Sequence, residues 1–326
     1  MLLVRSVDCM SRSKDTIMSQ LSYDSIYLLA LSLSELGLTH IAISCPLDDE
    51  NDYPGEKPVV RYLEKWVSAI RSVGLNVWYR NTWNSFEGNY SFTHKYPSSS
   101  PSQVTGVAEA VLNGSDTTSY LYKTYKFIKD NPSLFVSGDL IGFLPEPENQ
   151  GVGADLSVNM WSSYSQLGQF LVDLKTVCDA ALSDIGVSGV VTGMTSVNGG
   201  TIRLNHIGSS YWSQIGKAVI DHYRSYSDYS LSLDTIYANA GVDIYIGEWG
   251  STSYSGGAID DSYRYDNIHK FIEVFKSKEY IKGFNYWQAA TSSETKESIL
   301  LPDTFKKNSS AYLLKRYFTG QKRVQI

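Results

Sequence analysis

Hydrophobic positions along the chain follow two periods that take turns. Short, continuous apolar runs rich in β-branched residues occupy 2–8, 40–45, 75–79, 139–144, 189–194, 218–223, 242–247 and 283–287. Runs of this length and composition predict strands buried on both faces, as in a parallel sheet. Between them the apolar spacing becomes helical. Ile26, Leu29, Ala30, Leu33 and Leu36 line one face of 23–37, which Gly37 closes. Val59, Leu63, Trp66, Val67, Ile70 and Val73 do the same in 58–74. Helices are also predicted over 120–130, 167–182, 260–275, more weakly 230–239, and near 311–317.

Strands and helices that alternate strictly give an α/β fold with a parallel sheet and helices outside it. Eight such units in 326 residues predict one closed (β/α)8 TIM barrel spanning residues 1–326. The first strand is not followed by Gly-x-Gly-x-x-Gly, so the main support for a dinucleotide-binding sheet is missing. The connection 81–117, rich in Ser, Pro, Thr and Gly around 97–102, is too long for an ordinary link and reads as a functional loop over the catalytic face.

Composition narrows the partners. The net charge is −6 with no basic block, which argues against nucleic acid. No run of 18 apolar residues is present to span a membrane as a helix. Cys9, Cys45 and Cys178 form neither a disulfide framework nor a CxxC pair. The first residues lack the apolar stretch of a signal peptide, and the strand pattern starts almost at once. Both ends look trimmed to a domain, so the expectation is a piece excised from a longer secreted or surface protein. Aromatic residues are abundant, 24 Tyr and 7 Trp. Rings fill cores, but those at strand ends can also stack on sugars.

Barrel enzymes place their chemistry at the carboxyl ends of the strands. Those ends carry Asp8, Asp48, Arg80, Trp83, Glu146, Glu148, His222, Tyr223, Glu248, Trp249 and Trp287. Two of them stand out. The run 242–247 stops at Glu248, between Gly247 and Trp249-Gly250, and the run 139–144 stops at Glu146, between Pro145 and Pro147. A glutamate at a strand end is commonly a solvated loop carboxylate. Two of them, one flanked by glycines and a ring and the other by prolines, can instead serve as general acid and nucleophile. Glu148 is an alternative to Glu146. No Gly-x-Ser-x-Gly elbow and no His-Glu-x-x-His occurs, and the five His are scattered, so neither a metal nor a cofactor is expected.

Pro145-Glu146-Pro147 and Ile246-Gly247-Glu248-Trp249-Gly250 resemble the strand-four and strand-seven motifs of clan A retaining glycoside hydrolases. The segment from Trp78 to Gly88, with Pro145 to Asn149, is also similar to uncharacterised glycosidase-like barrel proteins. The resemblance implies the (β/α)8 barrel, a carbohydrate substrate, Glu146 as acid/base and Glu248 as nucleophile. It implies further that Tyr223, after Asp221-His222, hydrogen-bonds the nucleophile and that Trp287 stacks on sugar. Asp8, Arg80, Trp83, Glu148, Asn149, His222 and Trp249 complete the expected substrate-binding set. The chain departs from the clan where Pro145 replaces the Asn that binds the sugar 2-hydroxyl. Either another residue, Asn149 or Arg80, takes that role, or the substrate is unusual. The arginine also differs, since it ends strand three here rather than strand two. The implied activity is hydrolysis of a β-linked oligo- or polysaccharide by double displacement. The competing expectation is a catalytically silent carbohydrate-binding barrel.

Overall fold

The computed structural model describes residues 3–9, 21–44, 59–82, 106–150, 161–224, 226–250, 261–290, 298–300 and 305–320. Asp48, Trp83 and most of the long 81–117 connection lie outside them. Eight parallel strands form one sheet in the order β4-β3-β2-β1-β8-β7-β6-β5. They are β1 Val4–Asp8, β2 His40–Ile43, β3 Asn76–Tyr79, β4 Leu140–Ile141, β5 Val197–Asn198, β6 Ala218–Asp221, β7 Ile244–Trp249 and β8 Ile281–Tyr286. The two ends of the sheet meet. Ile141 N–H donates to Val191 O at 2.8 Å, Met194 N–H to Ile141 O at 3.0 Å, and Glu146 N–H to Ser196 O at 2.8 Å. The predicted fifth strand, 189–194, is thus the closing seam beside β4, while regular strand geometry begins only at Val197. The chain is a (β/α)8 TIM barrel. Among the described residues no helix is long and apolar enough to cross a membrane.

The helices cover the barrel. They are α1 Tyr23–Ser34, α2 Val59–Ser72, α3 Ala108–Leu112, α4 Tyr120–Asp130, α5 Tyr164–Asp184, α6 Gly199–Arg203, α7 Ser209–Ile215, α8 Tyr226–Ala240, α9 Asp261–Ser277 and α10 Ser309–Thr319. Their starts follow local chemistry: the side chains of Ser22, Ser119, Ser163 and Asn308 accept hydrogen bonds from the first turns of α1, α4, α5 and α10. Two apolar layers result. Outside the sheet, Val7, Ile41, Ile43, Val77, Tyr79, Ile220, Phe284 and Tyr286 join the buried faces of the helices. Inside the barrel, Val4, Ala42, Trp78, Leu140, Met194 and Val219 form a separate cluster. Alternation along each strand produces the division. Two residues beyond five of these six interior positions, at the carboxyl ends, polar side chains take over, and Gly142 follows Leu140.

Candidate active site

Counting by two from the interior layer leads to the site. Val4 is followed by Ser6 and Asp8, Trp78 by Arg80, Val219 by Asp221 and Tyr223, and Gly283 by Asn285 and Trp287. Arg80 is fully buried. Its Nη1 lies 3.1 Å from Asp8 Oδ2, 3.0 Å from Gly247 O and 2.8 Å from Glu248 Oε1. Its Nη2 lies 2.9 Å from Ser196 Oγ and 3.1 Å from Asp221 Oδ2. Ser196 Oγ also donates to Asp221 Oδ2 at 2.6 Å. Asn285 Nδ2 donates to Asp8 Oδ2 at 2.8 Å and to Gly247 O at 2.9 Å. The guanidinium therefore ties β1, β3, β6 and β7 together just below the mouth.

Glu248 sits above this cluster, 6% exposed. One oxygen is paired with Arg80, and the other accepts from the Tyr223 hydroxyl at 3.0 Å. A break in the ladder turns this side chain inward. The register of β7 shifts against β6 after Ile220 and against β8 between Ile246 and Trp249, so Asp221 pairs with Glu248. The extra residue puts both Gly247 and Glu248 on the barrel side, with the Gly247 carbonyl offered to Arg80 and Asn285.

Glu146 occupies the β4 side of the same carboxyl-terminal mouth. Its φ is +50°, and Leu144 has φ +56°, the left-handed region that non-glycine residues rarely adopt. Hydrogen bonds fix this segment on both sides. Leu144 N–H donates to Asn81 O at 2.9 Å, Glu146 N–H to Ser196 O, and Trp161 Nε1 to Pro147 O at 2.9 Å. The carboxylate of Glu146 accepts from Asn149 Nδ2 at 2.7 Å. Glu148 is engaged differently, with its Oε1 accepting the backbone N–H of Asn198. That bond fastens the β4 loop to β5.

Four residues expected to touch substrate are placed otherwise. Asp8 and Arg80 are wholly buried in the cluster beneath the mouth, so neither presents surface to a sugar. Trp249 is 1% exposed, because the register shift that turns Glu248 inward turns Trp249 out into the helix layer. There its ring meets Phe271, Phe275, Phe284 and Tyr286 edge-on at 5.0–5.7 Å. His222 is buried behind β6, its Nε2 3.0 Å from Ser232 Oγ and its ring against Tyr229. Burial, reinforced by Arg224 and Arg203, pushes its pKa down to about 3, so it is neutral and donates no proton at neutral pH. Tyr223 and Trp287 remain half-buried at the mouth, and Asn149 is exposed beside Glu146. Sequence reasoning missed Asp221, Ser196 and Asn285. For Asp221 and Asn285 the signal was present as polar residues at the inward positions of apolar runs, and Ser196 follows the inward Met194 by two. Among the described residues no group of His, Cys, Asp and Glu is arranged to hold a metal ion.

No family model and no curated protein sequence matches the chain. Solved structures do. The GH5_18 protein of Bifidobacterium longum subsp. longum, in complex with Manb1-4GlcNAc, superposes with a TM-score of 0.70 at 15% identity, over 98% of this chain and 78% of that one. The GH5_18 protein of Streptomyces cattleya, also in complex with Manb1-4GlcNAc, gives 0.66 at 15% identity, over 98% and 82%. A beta-glycosidase, BGL167, gives 0.59 at 13% identity, over 93% and 88%. The chain thus shares the barrel fold of these glycoside hydrolases.

Proposed function

We propose that the protein is a retaining glycoside hydrolase acting on a β-linked oligo- or polysaccharide, with Glu248 as nucleophile and Glu146 as acid/base. The observation that carries this reading is the treatment of Glu248. It ends β7 at the mouth, with Arg80 on one oxygen and the Tyr223 hydroxyl on the other. A positive charge and a hydrogen bond on its oxygens favour the ionised, oriented carboxylate that an attacking group requires. Glu146 stands on a strained loop across the same mouth, and strain of this kind gathers at functional sites.

In the first step Glu248 attacks the anomeric carbon and protonated Glu146 gives its proton to the departing glycosidic oxygen, leaving a glycosyl ester on Glu248. In the second step Glu146, now a carboxylate, takes a proton from water. The resulting oxygen nucleophile displaces Glu248 and restores both residues. Trp287 stacks on a sugar face. Asn149, bonded to the Glu146 carboxylate, supplies the amide that Pro145 cannot. Support for a β-linked substrate comes from the Manb1-4GlcNAc bound by the two GH5_18 proteins.

The test is turnover of a panel of dinitrophenyl β-glycosides and soluble β-glycans, with the anomer first released read by proton NMR. Retention and a carboxylate separation of about 5–5.5 Å are expected; inversion, with about 6.5–9.5 Å, overturns the mechanism. Glu248→Gln abolishes turnover. Glu146→Ala still glycosylates on the activated substrates but stalls in deglycosylation, and azide rescues it with retained configuration. Loss of these properties in Glu148→Ala and not in Glu146→Ala transfers the acid/base role to Glu148. Binding without turnover across the panel favours a silent carbohydrate-binding barrel.

A further inference from the structure

We infer that Asp221 and Asp8 are positioning residues that set the basicity of Glu248 through Arg80. The inference rests on the reading of Glu248 as nucleophile. Its ground is that a single buried guanidinium serves three carboxylates. Arg80 Nη1 meets Asp8 at 3.1 Å and Glu248 at 2.8 Å, and Nη2 meets Asp221 at 3.1 Å. Asp8, Asp221 and Glu248 are 0%, 2% and 6% exposed, and the Arg80 side chain is fully buried. Nη1 carries two N–H groups but has three acceptors within reach, Asp8, Gly247 O and Glu248. No N–H is therefore reserved for the nucleophile.

An arginine paired with Glu248 alone, in so dry a place, stabilises its anion strongly. A carboxylate stabilised to that degree is a weak nucleophile. Asp8 and Asp221 counter this in two ways. They draw on the same cation, and they place negative charge behind Glu248. Arg80 can then orient the nucleophile without quenching it.

Other described groups stand at the same strand ends. β5 and β8 contribute the neutral Ser196 and Asn285. β6 leads to Tyr223, to the neutral His222 and to exposed Arg224. The β4 side contributes Glu146. Two structural details show that Asp221 is built in. Ser196 Oγ donates to it, and a Cβ at Gly247 would lie 2.5 Å from its Oδ1, so β7 carries no side chain where Asp221 stands.

The experiment titrates Glu248 directly, by carbon-13 NMR of the full chain labelled at glutamate Cδ, with the resonance identified by its absence in Glu248→Gln. In Asp221→Asn the side chain keeps an oxygen for Arg80 Nη2 and loses its charge. The Glu248 midpoint is expected to fall by about one pH unit. The acid limb of kcat/KM for a dinitrophenyl β-glycoside should move down with it, and kcat/KM at pH 7 should drop several-fold. Asp8→Asn is expected to shift the midpoint in the same direction and serves if Asp221→Asn does not fold. A midpoint that stays in place while melting temperature falls shows a purely structural role and overturns the inference, as does a midpoint that rises. The NMR readout does not require turnover. Absence of activity on every glycoside with a shifted midpoint therefore sinks the hydrolase reading and leaves the electrostatic coupling standing.

Discussion

Glu146 is the residue at which backbone and chemistry are most closely joined. A left-handed φ costs a non-glycine residue about 1–2 kcal/mol, and here Leu144 and Glu146 both adopt it. Pro145 and Pro147 limit the alternatives, and backbone bonds to Asn81 and Ser196 hold what remains. Across the mouth, Tyr223 is the residue whose contribution is easiest to isolate. Its hydroxyl donates to Glu248 at 3.0 Å, and the residue is half-buried at the mouth. A hydrogen bond to a charged group is worth about 1.5–3 kcal/mol. Tyr223→Phe should therefore lower kcat/KM about ten- to a hundred-fold, most of it in kcat, with the melting temperature lower by a few degrees at most. A loss confined to KM would show that the tyrosine holds substrate and not the nucleophile.

Some of the site was legible at this scale and some was not. Glu146 and Glu248 were legible because a polar residue at or just after the end of an apolar run falls at a strand mouth, and Tyr223 entered through the family resemblance. Asp221 and Asn285 lie inside their runs, where one polar residue is readily taken for a flaw in the pattern. Only the period-two count from Val219 and Gly283 shows that they point into the barrel. Trp249 illustrates the opposite failure. Strict alternation from Tyr245 and Gly247 brings Trp249 inward, and the register shift reverses it. Nothing in the local sequence marks that extra residue except Gly247 itself.

Strand β7 is the element on which the site depends most. Its bulge aims Glu248, and Gly247 makes room for the residues behind it. A Cβ at Gly247 would lie 2.5 Å from Asp221 Oδ1, 2.8 Å from Ser196 Cβ and 3.2 Å from Val219 Cγ1. Gly247→Ala should displace Asp221 from Arg80, costing about 1–3 kcal/mol as overpacking does. The expected readout is a melting temperature lower by a few degrees together with a much larger fall in kcat/KM. Unchanged kinetics with the same loss of stability would mean that Asp221 can leave its place without consequence for Glu248. Elsewhere the elements follow the sequence closely where they are long and periodic. Helices α1, α2, α4, α5 and α9 bury the apolar stripes that their spacing indicates. The short helices α3, α6 and α7 escaped because five to seven residues span fewer than two turns and show too little periodicity to separate from a loop. The seam at 189–194 reads as a strand because Val190, Val191 and Met194 make it apolar, yet Val191 is exposed, and Gly189 and Gly193 have positive φ and break its regularity.

At the scale of the whole molecule, closing the barrel also buries two imidazoles, His222 between sheet and helices and His40 on the inner face two residues before Ala42, and these make stability depend on pH. His222 lies behind β6, and His40 opens β2 with its ring nitrogens on Thr39 and Gly138. Burial lowers the pKa of both, that of His222 to about 3. A histidine with a normal unfolded pKa near 6.5 takes up its proton on unfolding before it does so in the native state. The unfolded chain therefore binds more protons below pH 6.5, and native stability falls as pH falls. It continues to fall until the native pKa is reached. For His222 the slope is at most about 1.4 kcal/mol per pH unit, or about 2 kcal/mol between pH 6.5 and 5. Melting temperature at a fixed scan rate should accordingly be flat from pH 7 to 8 and decline steadily from pH 6.5 to 4. His222→Gln keeps a partner for Ser232 but cannot titrate, so its decline should be shallower and its curve should approach that of the parent at low pH. Two curves that run parallel across this range would mean that His222 accepts its proton without leaving the fold, and would place the acid sensitivity in His40 or in the carboxylates.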